Sequence, residues 1–308
     1  MTYAGLRAVL DAAGAIGWRG FAVLCLYALG IFLPIGAAWY VLIPDTPLRE
    51  SRVFVWARMV RDAAAEVLPF SQIGGMALGA RAAILHGVPP PLAVGSMIVD
   101  VTTEMLAQIA YIVLGVLILS ARVSETSLSR SLTTVFVVGV VLASIGGGLF
   151  VALQRYGHHW VARKVAARLF PNAMAATAAV AAALDEIYRS RARIGLSLAL
   201  HFCGWVLSGA GTWIAFRLMG AEVELPSVIA IESLVYATRS AAFVVPNALG
   251  VQEAAYAVLA PLFGLKLEAG IAVSLLKRAR DIAVGVPILL IWQAVESQRA
   301  LGKPSRDH

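Results

Sequence analysis

Leu92 to Leu119 reads LAVGSMIVDVTTEMLAQIAYIVLGVLIL, longer than the ~20 apolar residues that carry a helix across a bilayer. Asp100 and Glu104 lie inside it, one helical turn apart. An ionisable side chain at bilayer depth costs at least ~2.5 kcal/mol, so such residues line a bundle interior or a wet cavity. The situation recurs in Leu267 to Val295, where Asp281 sits beside Lys277, Arg278 and Arg280. Two such stretches in matching places imply a multi-pass membrane protein with a polar, transport-related centre.

The composition agrees. Of the 308 residues 60% are hydrophobic and 14% charged, and the mean hydropathy is +0.81. A chain so apolar is consumed by membrane spans, which excludes a large water-soluble catalytic domain. The net charge of +7 is uneven: Arg155, Arg163, Lys164, Arg168, Arg189, Arg191 and Arg193 crowd one connection, and Arg299, Lys303 and Arg306 close the chain. In a membrane protein that bias is a signal of topology and places both segments on the cytoplasmic side, with no nucleic-acid partner implied. Cys25 and Cys203 each fall in an apolar span, as small hydrophobes outside any disulfide framework. Met1 to Arg19 lacks the layout of a cleavable signal and fits an interfacial amphipathic helix.

Outward from the first stretch, Gly20 to Ile43 is a span with Pro34 as a potential kink. Arg49 to Pro69 and Gln72 to His86 form two short arms broken at Pro69, neither cleanly apolar, so a re-entrant or deeply inserted hairpin packed against protein is expected. Pro89, Pro90 and Pro91 open the Leu92 span at a helix N-terminus. Leu132 to Leu153 follows, its Gly146, Gly147 and Gly148 allowing close helix contact. Trp160, Val165 and Leu169 alternate with basic residues as in an interfacial helix, an Ala-rich helix comes next, and Ile194 to Leu218 is a further span. The two-arm pattern then returns as Ser227 to Val245, a break at Pro246, and Leu249 to Phe263, before the last span.

That return is an internal repeat at a constant offset of 177 residues. It pairs Pro69 with Pro246, Gly87 with Gly264, Asp100 with Lys277 and Glu104 with Asp281. The expected architecture is all-α, a single membrane domain over residues 1–308. Repeat 1 covers 20–121, a linking span and basic amphipathic segment 122–193, and repeat 2 194–298. Each repeat holds a span, a broken or re-entrant hairpin and a second span. The extra span between them inverts the second repeat and puts the Glu222/Glu224 loop outside; Arg7 and Arg19 violate the charge rule mildly. Inverted repeats whose broken helices meet at mid-membrane are a recurring transporter plan.

Asp100, Glu104, Gln108 and Tyr111 share one helix face, either as a stripe toward a cavity or as a structural partner for Lys277, Arg278 or Arg280. Gln252 and Glu253 follow Pro246 and Asn247 at a hairpin tip, where Arg239 could pair with Glu253 or bind an anion. Arg81 is a snorkelling arginine or a site residue, and His201 a packed residue or a ligand. His158 and His159 mark the interface, while Arg58, Arg61, Asp62 and Glu66 suit i,i+4 contacts along one helix. No phosphate-binding glycine loop, zinc-spaced Cys/His set or serine elbow is present, so no cofactor or metal is expected, and neither is enzymatic activity.

Several segments resemble hopanoid-biosynthesis-associated membrane proteins of the HpnL type. They are Leu68-Pro69-Phe70-Ser71-Gln72-Ile73-Gly74-Gly75, Ala80-Arg81, Gly87-Val88, Val99-Asp100-Val101-Thr102-Thr103-Glu104, Leu200-His201-Phe202-Cys203-Gly204-Trp205 and Arg239 through Glu253. Those proteins belong to a wider superfamily with the lipid-flipping transmembrane region of lysylphosphatidylglycerol synthases. Relatives carry Glu where Met76 stands, so the acid is kept only at its repeat partner Glu253. Relatives also have an apolar helix ahead of the segment that starts at Met1; either the true start lies upstream or this protein lacks that helix. The resemblance implies translocation of hopanoids or phospholipids across a bacterial inner membrane. The energy source, if any, would be a proton or ion gradient, since burial disfavours the charged form of a carboxylate and so suits it to carry a proton. The alternative is a scaffold that recruits hopanoid-synthesis or lipid-modifying enzymes through its basic face.

Overall fold

The computed structural model describes residues 11, 14–68, 72–123, 127–157, 174–242 and 245–301. Outside them lie the break at Pro69, His158 and His159, the basic run with Trp160, Arg163, Lys164 and Arg168, most of the N-terminal segment, and Lys303 and Arg306. The described residues form ten α-helices: α1 (Gly17–Tyr40), α2 (Ser51–Val67), α3 (Gln72–Leu85), α4 (Pro90–Arg122), α5 (Ser127–Ala152), α6 (Met174–Tyr188), α7 (Arg191–Leu218), α8 (Leu225–Ala241), α9 (Val251–Leu262) and α10 (Leu267–Leu301).

Sequence chemistry sets the ends. α4 begins behind Pro89 with proline at its first positions, where the missing N–H costs nothing, and α8 begins likewise behind Glu224. The α3–α4 and α9–α10 junctions turn at Gly87 (φ 96°) and Gly264 (φ 80°), which an L side chain would resist. Among the described residues four helices, α1, α4, α5 and α7, are long and apolar enough to cross a membrane. α10 has the length, 35 residues, but carries the four charges at 277–281 in its middle.

Two apolar cores hold the bundle. One gathers Trp39, Phe54, Ala57, Val60, Ala82, Ala83 and Met97 around α2 and α3 and takes Ile288 from α10. The other gathers Phe216, Ile231, Leu234, Tyr256 and Leu259 around α8 and α9 and takes Ile112, Val116 and Leu119 from α4. Each hairpin therefore packs on the long helix of the other half. α4 leaves the first core at Met97, passes its two carboxylates and enters the second at Ile112; α10 runs from the second core at Val273, past its charges, to the first at Ile288.

α5 stands apart, packed chiefly on α4. Val135, Leu142 and Leu149 are 64–71% exposed, which for an apolar helix of span length means contact with lipid. The expected triple-glycine contact reduces to Gly147, which faces Met105, Leu106 and Ile109; a Cβ added at Gly146 or Gly148 would meet nothing within 4 Å among the described residues. Consecutive residues point 100° apart on a helix, so only one of three adjacent glycines can face a partner.

Glycine does decide the α1–α2 contact. A Cβ added at Gly36 would lie 2.5 Å from the Cα of Val55 and 2.7 Å from its Cγ2. Gly36→Val should therefore cost about 1–3 kcal/mol by overpacking and lower the melting temperature in detergent. Gly30→Val, with nothing within 4 Å, should leave it unchanged.

Candidate functional site

Arg58, Arg61 and Asp62 occupy one turn of α2, and Asp100 and Glu104 one turn of α4 facing it. Each guanidinium spans both carboxylates. Arg58 donates from Nη1 to Asp100 Oδ2 at 3.1 Å and from Nη2 to Glu104, while its Nε holds Asp62 at 2.9 Å. Arg61 donates to Asp100 Oδ2 at 2.9 Å and to Glu104 Oε2 at 2.6 Å. The other oxygen of Asp100 lies 2.9 Å from Nε2 of His201 on α7. Trp205, one turn further along α7, donates to the Glu104 carbonyl at 3.4 Å, and Thr103 and Ser197 are hydroxyl partners at 2.9 Å. Asp100 is fully buried and Arg58 and His201 nearly so, whereas Asp62 and Glu104 keep part of their surface open.

A second cluster occupies the other half. Glu232 on α8 is fully buried and accepts from Lys277 of α10 and from the Tyr256 hydroxyl of α9; Lys277 also donates to that hydroxyl at 2.9 Å. One position further on α10, Arg278 grips Glu253 at 2.6 Å and donates to the carbonyls of Asn247 and Ala248, both at 3.2 Å. Glu253 in turn accepts from the Gly250 N–H at 2.8 Å and from Ser274 at 3.1 Å, and Gln252 donates to Ser274 at 2.8 Å. These bonds hold a strained tip: Asn247 and Ala248 have φ of 49° and 47°, a left-handed conformation costing roughly 1–2 kcal/mol per L residue.

The two hairpins meet at that tip. Arg239 of α8 binds both oxygens of Glu66 from α2, at 3.0 and 3.1 Å, and Asn247 donates to the Glu66 carbonyl at 2.8 Å. An aromatic group joins this contact to the two clusters. Tyr236 packs edge-on against Trp205 with centroids 4.6 Å apart, and it lies 5.5 Å from the Arg239 guanidinium and 5.3 Å from the Lys277 ammonium. Tyr111 stacks on the same indole, 6.1 Å away. Its buried hydroxyl has no hydrogen-bond partner among the described residues.

The structure thus separates residues that the repeat had suggested would converge. Asp100 and Glu104 pair with Arg58 and Arg61, and none of Lys277, Arg278 or Arg280 reaches them. Of the four charges expected to form i,i+4 contacts on α2, Arg58 and Asp62 do so, but Glu66 serves Arg239. Arg239 pairs with Glu66, leaving Glu253 to Arg278. Arg280 and its neighbour Asp281 bind each other at 2.6 Å. Gln108 reaches Ser240 at 3.1 Å, and Arg81, about half exposed, pairs with Glu296 at 2.8 Å. Missing from the sequence reading were Glu232, Tyr236, Tyr256 and the function of Trp205. Glu232 is the lone charge between Leu225 and Thr238, and that isolation was the available signal.

Removing one partner of a buried ion pair strands the other, at about 3–5 kcal/mol. Lys277→Met should therefore depress the detergent melting temperature strongly, and Glu232→Gln added to it should restore most of the loss. A double variant as unstable as the single one would mean that Lys277 acts through packing instead.

No curated protein and no solved structure is significantly similar to the chain. The family described as the lysylphosphatidylglycerol synthase TM region matches residues 2–288, which take in α1 to α9 and more than half of α10. With its apolar spans and its interior ion pairs, the chain is a multi-pass membrane protein that belongs to the lysylphosphatidylglycerol synthase TM region family.

Proposed function

We propose that this protein moves lipids between the leaflets of a bacterial inner membrane, as a flippase-like transporter and not as an enzyme. The observation that carries the reading is the seam of charged and aromatic side chains between two apolar cores, closed where the hairpin tips meet at Glu66, Arg239 and Asn247. A lipid crossing a bilayer needs a route on which its polar head group is never bare in hydrocarbon. The partly exposed ionic contact between the two hairpins offers a polar station on such a route: a phosphate can replace Glu66 on Arg239.

The architecture proposed with it is a pair of inverted repeats, 20–121 and 194–298, with re-entrant hairpins. Support comes from the element bounds: an offset of 177 residues carries Pro90 onto Leu267 and Leu85 onto Leu262, the first and last residues of matching helices. The opposite order in which α4 and α10 visit the two cores fits a two-fold relation between the halves. The hairpin arms hold 17, 14, 17 and 12 residues, short of the ~20 that a crossing needs. Hopanoids or related amphiphiles are the substrates we favour, on the strength of the HpnL-type segments. The charge bias puts the connection with Arg189, Arg191 and Arg193 and the C-terminus in the cytoplasm.

The test is leaflet exchange of fluorescent phospholipid and hopanoid analogues in proteoliposomes at matched protein content. Wild type should accelerate exchange, and Arg239→Gln should slow it by at least about tenfold, equivalent to 1.4 kcal/mol on the barrier. No exchange of any analogue by folded wild type would refute the reading.

A further inference from the structure

Four buried side-chain polar atoms lack a hydrogen-bond partner among the described residues: the Tyr111 hydroxyl, the Gln154 amide nitrogen, Nε1 of Trp292 and Oε2 of Glu296. A buried donor or acceptor with nothing to bond is costly, so each asks what meets it. The last two come as a pair. Trp292 and Glu296 follow the buried Ile288 at i+4 and i+8 on α10, on the face turned toward the first apolar core, and residues at that spacing stand about 5–6 Å apart at Cβ. A long helical side chain leans over the turn before it, which carries the Glu296 carboxylate back toward the indole. Arg81, one turn before the end of α3, holds that carboxylate by its other oxygen, donating to Oε1 from Nε at 3.2 Å and from Nη2 at 2.8 Å. One acceptor and one donor, a turn apart, are left over.

We infer that Trp292 and Glu296 form a binding site for a hydroxyl group of a lipid head group. The pairing selects the chemistry. A hydroxyl accepts from the indole N–H and donates to the carboxylate oxygen from a single position. An ammonium has no lone pair to offer the indole, and a phosphodiester has no proton to offer the carboxylate. The surroundings name lipid as the source. Leu290 and Ile291, in the same stretch of α10, are 62% and 55% exposed and lay apolar surface against the bilayer beside the site. Arg81 is 49% exposed and Glu296 29%, so the pair stands at an edge of the bundle that a head group can reach. The site is separate from the contact at Glu66 and Arg239: roughly 13 Å of helix, from Gln72 to Arg81, leads from the tip of the first hairpin to it.

The hydroxyl chemistry stands on these two atoms; the part it plays in lipid movement rests on the transport reading above. The experiment uses the full chain in an amine-oxide detergent, which brings no hydroxyl of its own. It is titrated with monooleoylglycerol, with the same lipid carrying methoxy groups in place of both hydroxyls, and with free glycerol at equal concentration, and binding is read from the rise in melting temperature. Wild type should bind the hydroxylated lipid at least about fivefold more tightly than its methoxy form, the worth of a net hydrogen bond, and glycerol should leave the melting temperature unchanged. Trp292→Phe keeps the aromatic packing and removes the N–H, so the preference should fall below about twofold. Glu296→Gln, which sets an amide N–H in place of the free acceptor, should lose it likewise and serves if the first variant does not fold. Equal binding of the two lipids by folded wild type would mean that water alone meets these atoms and would overturn the site, as would a folded variant that keeps the preference. Stabilisation by glycerol equal to that by the lipid would overturn the lipid occupant. A hydroxyl preference in a protein that exchanges no lipid would leave the site standing and remove the transport reading; exchange without the preference would do the reverse.

Discussion

Two arginines on α2 and two carboxylates on α4 interlock so that each guanidinium touches both acids. Taking four ions out of water costs several kcal/mol apiece, and only near-complete pairing offsets it. The contact is therefore a constraint on geometry more than a source of stability. α2 carries Arg52, Arg58, Arg61, Asp62 and Glu66 in 17 residues and has no standing of its own beside a lipid phase. It is tolerated because α4 satisfies its charged face while Phe54, Ala57 and Val60 fill the apolar core. With α2 fixed, α3 folds back on it, α10 packs across it, and Glu66 is delivered to Arg239.

The second half meets the same problem with different residues. At the proposed offset of 177 residues Lys277 stands where Asp100 does, and its compensating acid comes from α8 as Glu232, with Tyr256 completing the set. The sign of the buried charge is reversed while the helix positions are kept. Polar contacts also tie the halves together, His201 to Asp100, Trp205 to Glu104, Arg239 to Glu66 and Gln108 to Ser240. Apolar packing in a bilayer has little preference between protein and lipid, so directional contacts of this kind fix which helix faces inward.

Much of the fold is legible in the chain because its signals are local. Pro89 to Pro91, Gly87, Gly264 and the break at Pro246 mark helix ends through backbone sterics, and helix bounds follow within a few residues. That Asp100 and Glu104 face inward is also legible, since lipid cannot solvate them. Their partners are not. A spacing of three or four residues on α2 satisfies an intrahelical pair and an interhelical one equally, and only the crossing of α2 over α4 decides between them. Glu232 hides for the opposite reason: one charge in an apolar arm has no periodicity to betray it. Gly147 makes the same point, as one-dimensional spacing does not say which of three glycines meets a neighbour.

The sequence distance between Glu66 and Arg239, 173 residues, bears on how the protein is made. During synthesis α2 emerges with Arg58 able to pair with Asp62 but with Arg61 and Glu66 lacking their interhelical partners. Its first partners, Asp100 and Glu104, follow about forty residues later, His201 a further hundred, and Arg239 last. The place of Glu66 in the bundle therefore depends on a helix made 173 residues later, and a copy cut short before α8 would leave that carboxylate without Arg239.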